Sequence, residues 1–261
     1  MTTRNALIGA AAAVMLAGTA ACGSSTKPAA SSEAVTTPPT WSASSASATT
    51  SASSTPAADT SACTDLGGTV GADKLCAVHA EKPGYTIDMS FPVDYPDQPA
   101  VKDLLTKQRD QFVTAVEDPP VVPNLKALDI KSMTYRSGTP DAGTASLVFE
   151  EYANLGGAHP TTSYQALNYD VGNKTPITFD TLFKPGGDTV AVLDPIVKKQ
   201  LQNQLQGLEL DDNPAGADTY ANFALTDDAV IFFISQGSWA ISAAGAQQVS
   251  IPRTELASIL A

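Results

Sequence analysis

The clearest signal along the chain is alternation between apolar and polar residues. Tyr85 to Phe91 alternates with period two and predicts a strand stopped by Pro92. The spacing then changes: Asp97-Gln98-Pro99 opens a helix with Val101, Leu104, Leu105, Gln108, Phe112 and Val116 mostly at helical intervals, and Glu117-Asp118-Pro119-Pro120 ends it. Leu128 to Tyr135 and Ala145 to Tyr152 alternate again. The turn chemistry of Gly138 to Gly143 between them predicts a hairpin.

A further strand, Ser163 to Asp170, is expected to place Tyr164, Ala166 and Asn168 on one face and Gln165, Leu167 and Tyr169 on the other. Val171 to Lys174 is a tight turn. Thr189 to Gln206 has helical spacing interrupted at Asp194-Pro195, where aspartate can cap and proline can begin a fresh helix. Asp211 to Asp218 is a loop. Tyr220 to Leu225 and Ala229 to Ser235 flank the turn Thr226-Asp227-Asp228, and Ile231-Phe232-Phe233-Ile234, apolar on both faces, predicts a central strand. Gln248 to Ile251 is a last strand, and Arg253 to Leu260 a short closing helix. Strands and helices interleaved in this way make residues 63–261 one α+β domain.

The first 62 residues differ in kind. Met1 to Ala21 carries Arg4, an apolar run from Ala6 through Leu16 and the small residues Gly18-Thr19-Ala20-Ala21, which is too short for a membrane span and reads as an export signal. Small residues before Cys22, with Gly23-Ser24-Ser25 after it, resemble the lipobox of bacterial lipoproteins, whose cysteine is acylated and becomes the mature N-terminus. Thr19 departs from that pattern, which usually has leucine there; an ordinary signal-peptidase site is the alternative. Residues 22–62 are almost wholly Ser, Thr, Ala and Pro, a composition that cannot bury enough apolar surface to order itself, so a disordered stalk is expected.

The chain has three cysteines. In an exported protein an odd count leaves one over, and acylation of Cys22 would leave Cys63 and Cys76 as a disulfide pair. Residues 1–62 hold Arg4, Lys27, Glu33 and Asp59, which cancel, so the whole net charge of −12 falls on residues 63–261. Such acidity repels phosphate backbones, excludes nucleic acid as a natural partner and favours cationic ones. It also serves solubility alone.

Three blocks carry a resemblance: Gly156-Gly157-Ala158-His159-Pro160 before the strand ending Asn168-Tyr169-Asp170; Lys174 to Phe183; and Phe223 to Phe233. They resemble the RsiV-like domain of bacterial cell-surface proteins and the mycobacterial secreted immunogenic antigens of the MPT/MPB series. The likeness extends over Cys63, Cys76, Tyr95-Pro96-Asp97-Gln98 and Val249-Ser250-Ile251-Pro252-Arg253. It implies a β-grasp-like arrangement of antiparallel strands and packed helices, displayed at the cell surface. It also implies two activities within the family: recognition of lysozyme by an anti-sigma factor, and ester hydrolysis by one relative. The sigma-binding segment and membrane helix of the anti-sigma factor are missing, so its signalling role does not carry over.

Serine ester hydrolysis needs a hydroxyl, a histidine and a carboxylate in series. His159 is the better base of the two histidines and Ser238, in Gly237-Ser238-Trp239-Ala240, the nearest nucleophile; the G-x-S-x-G elbow is absent. Adjacent Glu150 and Glu151 should point to opposite faces of a strand, and Asp227 and Asp228 should serve their turn. No metal motif and no cofactor motif is present. The reading that asks least of the residues is a non-catalytic binding module for a protein or glycan, possessing an acyl anchor to the cell membrane and a surface around Gly156, Gly157, His159, Pro160 and Trp239. A cationic muramidase such as lysozyme suits its charge.

Overall fold

A computed structural model of the chain describes residues 59–117, 125–206, 208–210 and 216–261. The export signal, Cys22, nearly all of the stalk, the Asp118-Pro119-Pro120 helix stop and residues 211–215 lie outside the described residues.

The first half builds a seven-stranded sheet. In chain order come α1 (Ser61–Asp65), β1 (Thr69–Val70), β2 (Leu75–Lys82), β3 (Tyr85–Pro92), α2 (Gln98–Glu117), β4 (Lys126–Ser137), β5 (Thr144–Asn154), β6 (Thr161–Asp170) and β7 (Thr175–Pro176). The strands lie side by side in that same order. All pairs are antiparallel except β3 and β4, where α2 carries the chain between parallel neighbours. The Asp97 carboxylate caps α2 by accepting from the Ala100 amide at 3.1 Å. Val101, Leu105, Phe112 and Val116 then recur on its buried face, over Met89, Phe91, Leu128, Ile130 and Phe149.

Two expectations change here. Ser61 and Ala62 belong to α1 and not to a stalk, and Ala62 is buried in this first core. A β-grasp sheet pairs its first and last strands in parallel. Here the parallel pair is β3 with β4, the two strands that flank α2, and β2 to β5 keep chain order.

The second half builds α3 (Phe179–Leu182), α4 (Thr189–Leu205), β8 (Phe223–Leu225), β9 (Ala229–Ile234), β10 (Gln247–Pro252) and α5 (Arg253–Leu256). β9 is the middle of an antiparallel three-stranded sheet, as its two apolar faces require. Val230, Phe232 and Ile234 enter a core with Leu193, Val197 and Leu201 of α4, while Phe233 packs against Val148 and Tyr164 of the larger sheet. The layers are thus α2, the large sheet, the small sheet and α4.

α4 runs unbroken through Pro195, where a fresh helix was expected. Proline there forfeits one backbone hydrogen bond, but the buried Leu193, Val197 and Leu201 hold both halves on one face. The cap is Asp188, which accepts from the Ala191 amide at 3.0 Å. Asp194 instead accepts from the Tyr220 hydroxyl at 3.0 Å and pairs with Lys198 at 3.0 Å. α5 is shorter than expected, and the chain beyond it folds back to bridge Phe183 with Leu260.

The sheets are joined by an edge made of side chains. β6 pairs with β7 only at Tyr169 and Asp170, so its outer amides at Thr162, Tyr164 and Ala166 have no strand partner. Gln236 Oε1, Ser235 Oγ and Asn222 Oδ1 accept from them at 2.8, 3.1 and 3.0 Å. These three amides are satisfied by residues flanking the small sheet's strands, which blocks strand addition along that stretch of β6.

Candidate functional site

The Gly156 to Pro160 loop joins β5 to β6. It begins as a local turn: Asn154 Oδ1 accepts from the Gly156 amide at 2.9 Å, and Gly156 has φ of +83°. That conformation favours glycine. Gly156 also lies over the stem of Lys126, whose buried ammonium donates to the Val116 carbonyl at the end of α2 at 2.7 Å. Gly157 has open space about it and no positive φ, so only the first glycine of the pair is demanded by the backbone.

His159 and Pro160 are exposed, and among the described residues the His159 imidazole makes no hydrogen bond to protein. Loop backbone is held by the Asn154 side chain and not by the imidazole. The loop ends at Thr162, which exchanges two hydrogen bonds with Gln236: Gln236 N to Thr162 O at 2.9 Å and Thr162 N to Gln236 Oε1 at 2.8 Å. This brings the His159 loop and the Gly237-Ser238 turn to the same end of the domain.

Ser238 is exposed in that turn, with Gly237 at φ of +79°. Its backbone amide donates to Ser235 O at 3.1 Å, but no histidine bonds its hydroxyl. The structure therefore places His159 and Ser238 on neighbouring loops without linking them into a hydroxyl, imidazole and carboxylate series. Trp239 does not belong to a binding surface. It is 3% exposed, edge-on to Tyr220 at 5.4 Å, with Lys198 Nζ 5.6 Å from its ring centre. The turn alternates, so Ser238 faces out while the indole fills the second core. Ile241, 61% exposed, is the apolar residue this loop presents.

The histidine with a carboxylate partner is His79. Its Nδ1 lies 2.6 Å from Asp88 Oδ1 across β2 and β3. That hydrogen bond, then the Asp88 charge, raises the imidazole pKa above its ordinary value. Cross-strand pairing continues the row through Asp129 of β4, Tyr152 of β5 and Thr162 of β6. The signal was available: Leu75 to Lys82 alternates, with Cys76 and Val78 inward, but its small and polar residues give that alternation little contrast.

Glu150 and Glu151 behave as adjacency predicts. Glu150 accepts weakly from the Tyr164 hydroxyl at 3.4 Å, while Glu151 points to the opposite face, where burial pushes its carboxyl pKa up. Asp227 and Asp228 differ from expectation: the Asp227 carboxylate accepts from the Gly138 amide of the β4–β5 hairpin at 2.6 Å, Asp228 acts through its backbone carbonyl, which accepts from the Arg253 amide at 2.8 Å, and their own turn is closed by Thr226 and Ala229. At the His159 end of the β4–β5 ladder, Leu125, Tyr152 and Leu155 are 64%, 38% and 49% exposed. Three large apolar side chains at the mouth of an acidic domain are a surface a partner can bury.

A family model described as "Protein of unknown function (DUF3298)" matches residues 180–254, from α3 to the start of α5. The Mycobacterium tuberculosis protein named Esterase Rv3036c is 43% identical over 209 residues, covering 77% of this chain and 90% of that protein. Immunogenic protein MPT64 of the same species is 38% identical over 208 residues, covering 78% and 90%. A crystal structure of a DUF3298 family protein from Pseudomonas aeruginosa aligns over 75% of this chain and 96% of its own, at 17% identity and a TM-score of 0.49. With two relatives well above 30% identity along nearly their full length, the chain belongs to the family of Esterase Rv3036c and the MPT64 immunogenic protein, with a DUF3298 segment at residues 180–254.

Proposed function

We propose that the protein is an exported, envelope-associated lipoprotein whose RsiV-like domain binds a cationic protein of the muramidase type, with Cys22 as the acylated residue and residues up to about 60 as its stalk. The observation that carries the reading is the exposed Leu125, Tyr152 and Leu155 beside the His159 loop, on a domain with the chain's full net charge of −12. Apolar anchors on an acidic domain suit a basic partner, whose approach the net charge accelerates.

The test is titration of purified protein with hen lysozyme as salt is raised. Binding at low salt that weakens by about tenfold or more toward physiological ionic strength is expected, together with loss of affinity in Leu155→Asp. Absence of association at low salt rules the partner out. For the anchor, Cys22→Ala is expected to move the protein from the membrane fraction to the medium, and unchanged membrane retention counts against it.

The relative named an esterase supports a second reading, serine ester hydrolysis. His159 and Ser238 share one end of the domain, and closure of the His159 loop on the Ser238 turn would be required to connect them. Turnover of p-nitrophenyl butyrate that vanishes in both Ser238→Ala and His159→Ala, with folding intact, establishes this reading; activity unchanged in both removes it.

A further inference from the structure

A cleft of about 360 Å³ opens between α3 and the start of α4, along the turn from Lys184 to Asp188. It uses none of the residues of the His159 end. Its size lies within the range of small-ligand sites, which combine apolar walls with a few convergent polar groups.

One wall is aromatic. The half-buried Phe179 ring lines it, backed by Phe183, which is only 3% exposed, at 58° with ring centres 5.0 Å apart, and by Tyr220, whose ring lies 6.4 Å away and nearly parallel. The rim is polar and mixed in sign. Asp180 is exposed, and among the described residues its carboxylate makes no hydrogen bond. Asp188 uses Oδ1 to cap α4, which leaves Oδ2 available. Thr189 adds a hydroxyl. The Lys184 ammonium is committed to the Ala257 and Ser258 carbonyls at 3.3 and 3.2 Å. Gly186 and Gly187 line the cleft on its open side, since no heavy atom lies within 4 Å of where either would carry a Cβ.

This combination disfavours both kinds of ion. An anion drawn to the N-terminus of α4 would face Asp180 and Asp188, and a cation drawn to those carboxylates would face the positive end of the helix and Lys184. A neutral ligand with one apolar face and many hydroxyls meets neither objection: its ring C–H face lies on the Phe179 ring, and its hydroxyls donate to carboxylate oxygens and accept from Thr189. We propose that the cleft bounded by Phe179, Asp180, Gly187 and Asp188 binds a short neutral saccharide. This goes beyond the binding of a basic protein at the other loops and does not depend on it.

Saturation-transfer NMR on the full-length protein with N,N′-diacetylchitobiose and cellobiose tests the assignment, with spermidine and methyl phosphate as ionic probes. Transfer to the ring protons of at least one disaccharide is expected, weakened by about tenfold or more in Gly187→Phe, which fills the cleft from a position free of positive φ. Asp180→Ala, at an exposed side chain outside the core, is expected to weaken it as well. The proposal is overturned by absence of transfer from both disaccharides, by transfer undiminished in a folded Gly187→Phe protein, or by stronger binding of either ion. If Gly187→Phe does not fold, undiminished transfer in Asp180→Ala is the overturning result.

Discussion

Tyr220→Ala is expected to lower the unfolding free energy by about 3–5 kcal/mol, among the largest losses a single truncation can give. The side chain is fully buried and touches three other rings: Phe232 and Trp239 edge-on at 5.5 and 5.4 Å, and Phe179 in a stacked arrangement. Its removal opens a cavity where the small sheet, α3 and α4 meet. Burial, and then the nearby Asp194, raise the phenol pKa far above its usual range, so the hydroxyl stays a donor to Asp194. Tyr220→Phe keeps the rings and loses only that bond, for a change of about 1 kcal/mol. Urea denaturation of both variants separates packing from hydrogen bonding. A loss below about 1 kcal/mol in Tyr220→Ala would show that the second core does not depend on this ring.

Removal of the disulfide by the double change Cys63→Ala and Cys76→Ala is expected to cost about 3 kcal/mol. The bond joins α1 to β2, and both cysteines are at most 1% exposed. The chain between them makes a close approach that has no room for a side chain: a Cβ on Gly68 would stand 2.5 Å from Cys76 Sγ. With the bridge gone, α1 is held by its own short packing surface and by the exposed Lys102–Asp65 pair, and pairs so exposed add little. The same shift should appear when the native protein is unfolded under reducing conditions. Equal midpoints with and without reductant would refute the claim.

The elements with strong periodic contrast were legible in the sequence. The β4–β5 hairpin, α2 and the central β9 follow directly from spacing and turn chemistry, and the two faces of β6 were read correctly: Tyr164, Ala166 and Asn168 meet the small sheet. What failed depended on distant packing. Pro195 stops a helix by local rule, but Leu193, Val197 and Leu201 were already bound to one core. Trp239 resembled a surface anchor because it follows glycine and serine in a loop, yet Tyr220 offered it a place inside. The His79–Asp88 pair escaped notice because it forms across β2 and β3, and the weak apolar contrast of β2 hid the strand that carries His79. The neighbouring placement of the His159 loop and the Ser238 turn likewise rests on Thr162 and Gln236, 74 residues apart.

The position of the disulfide also decides how the domain responds to mechanical load. A pull from the N-terminal side reaches the fold at α1 and passes through Cys63 to Cys76, 13 positions apart, bypassing the chain between them. Force then acts on β2, which is zipped to β3 over eight consecutive pairs from Leu75 with Pro92 to Lys82 with Tyr85. Without the bond, α1 and β1 would unravel first and lengthen the tether at low tension. With it, extension is arrested at the bond and the β2–β3 ladder is the element that must yield.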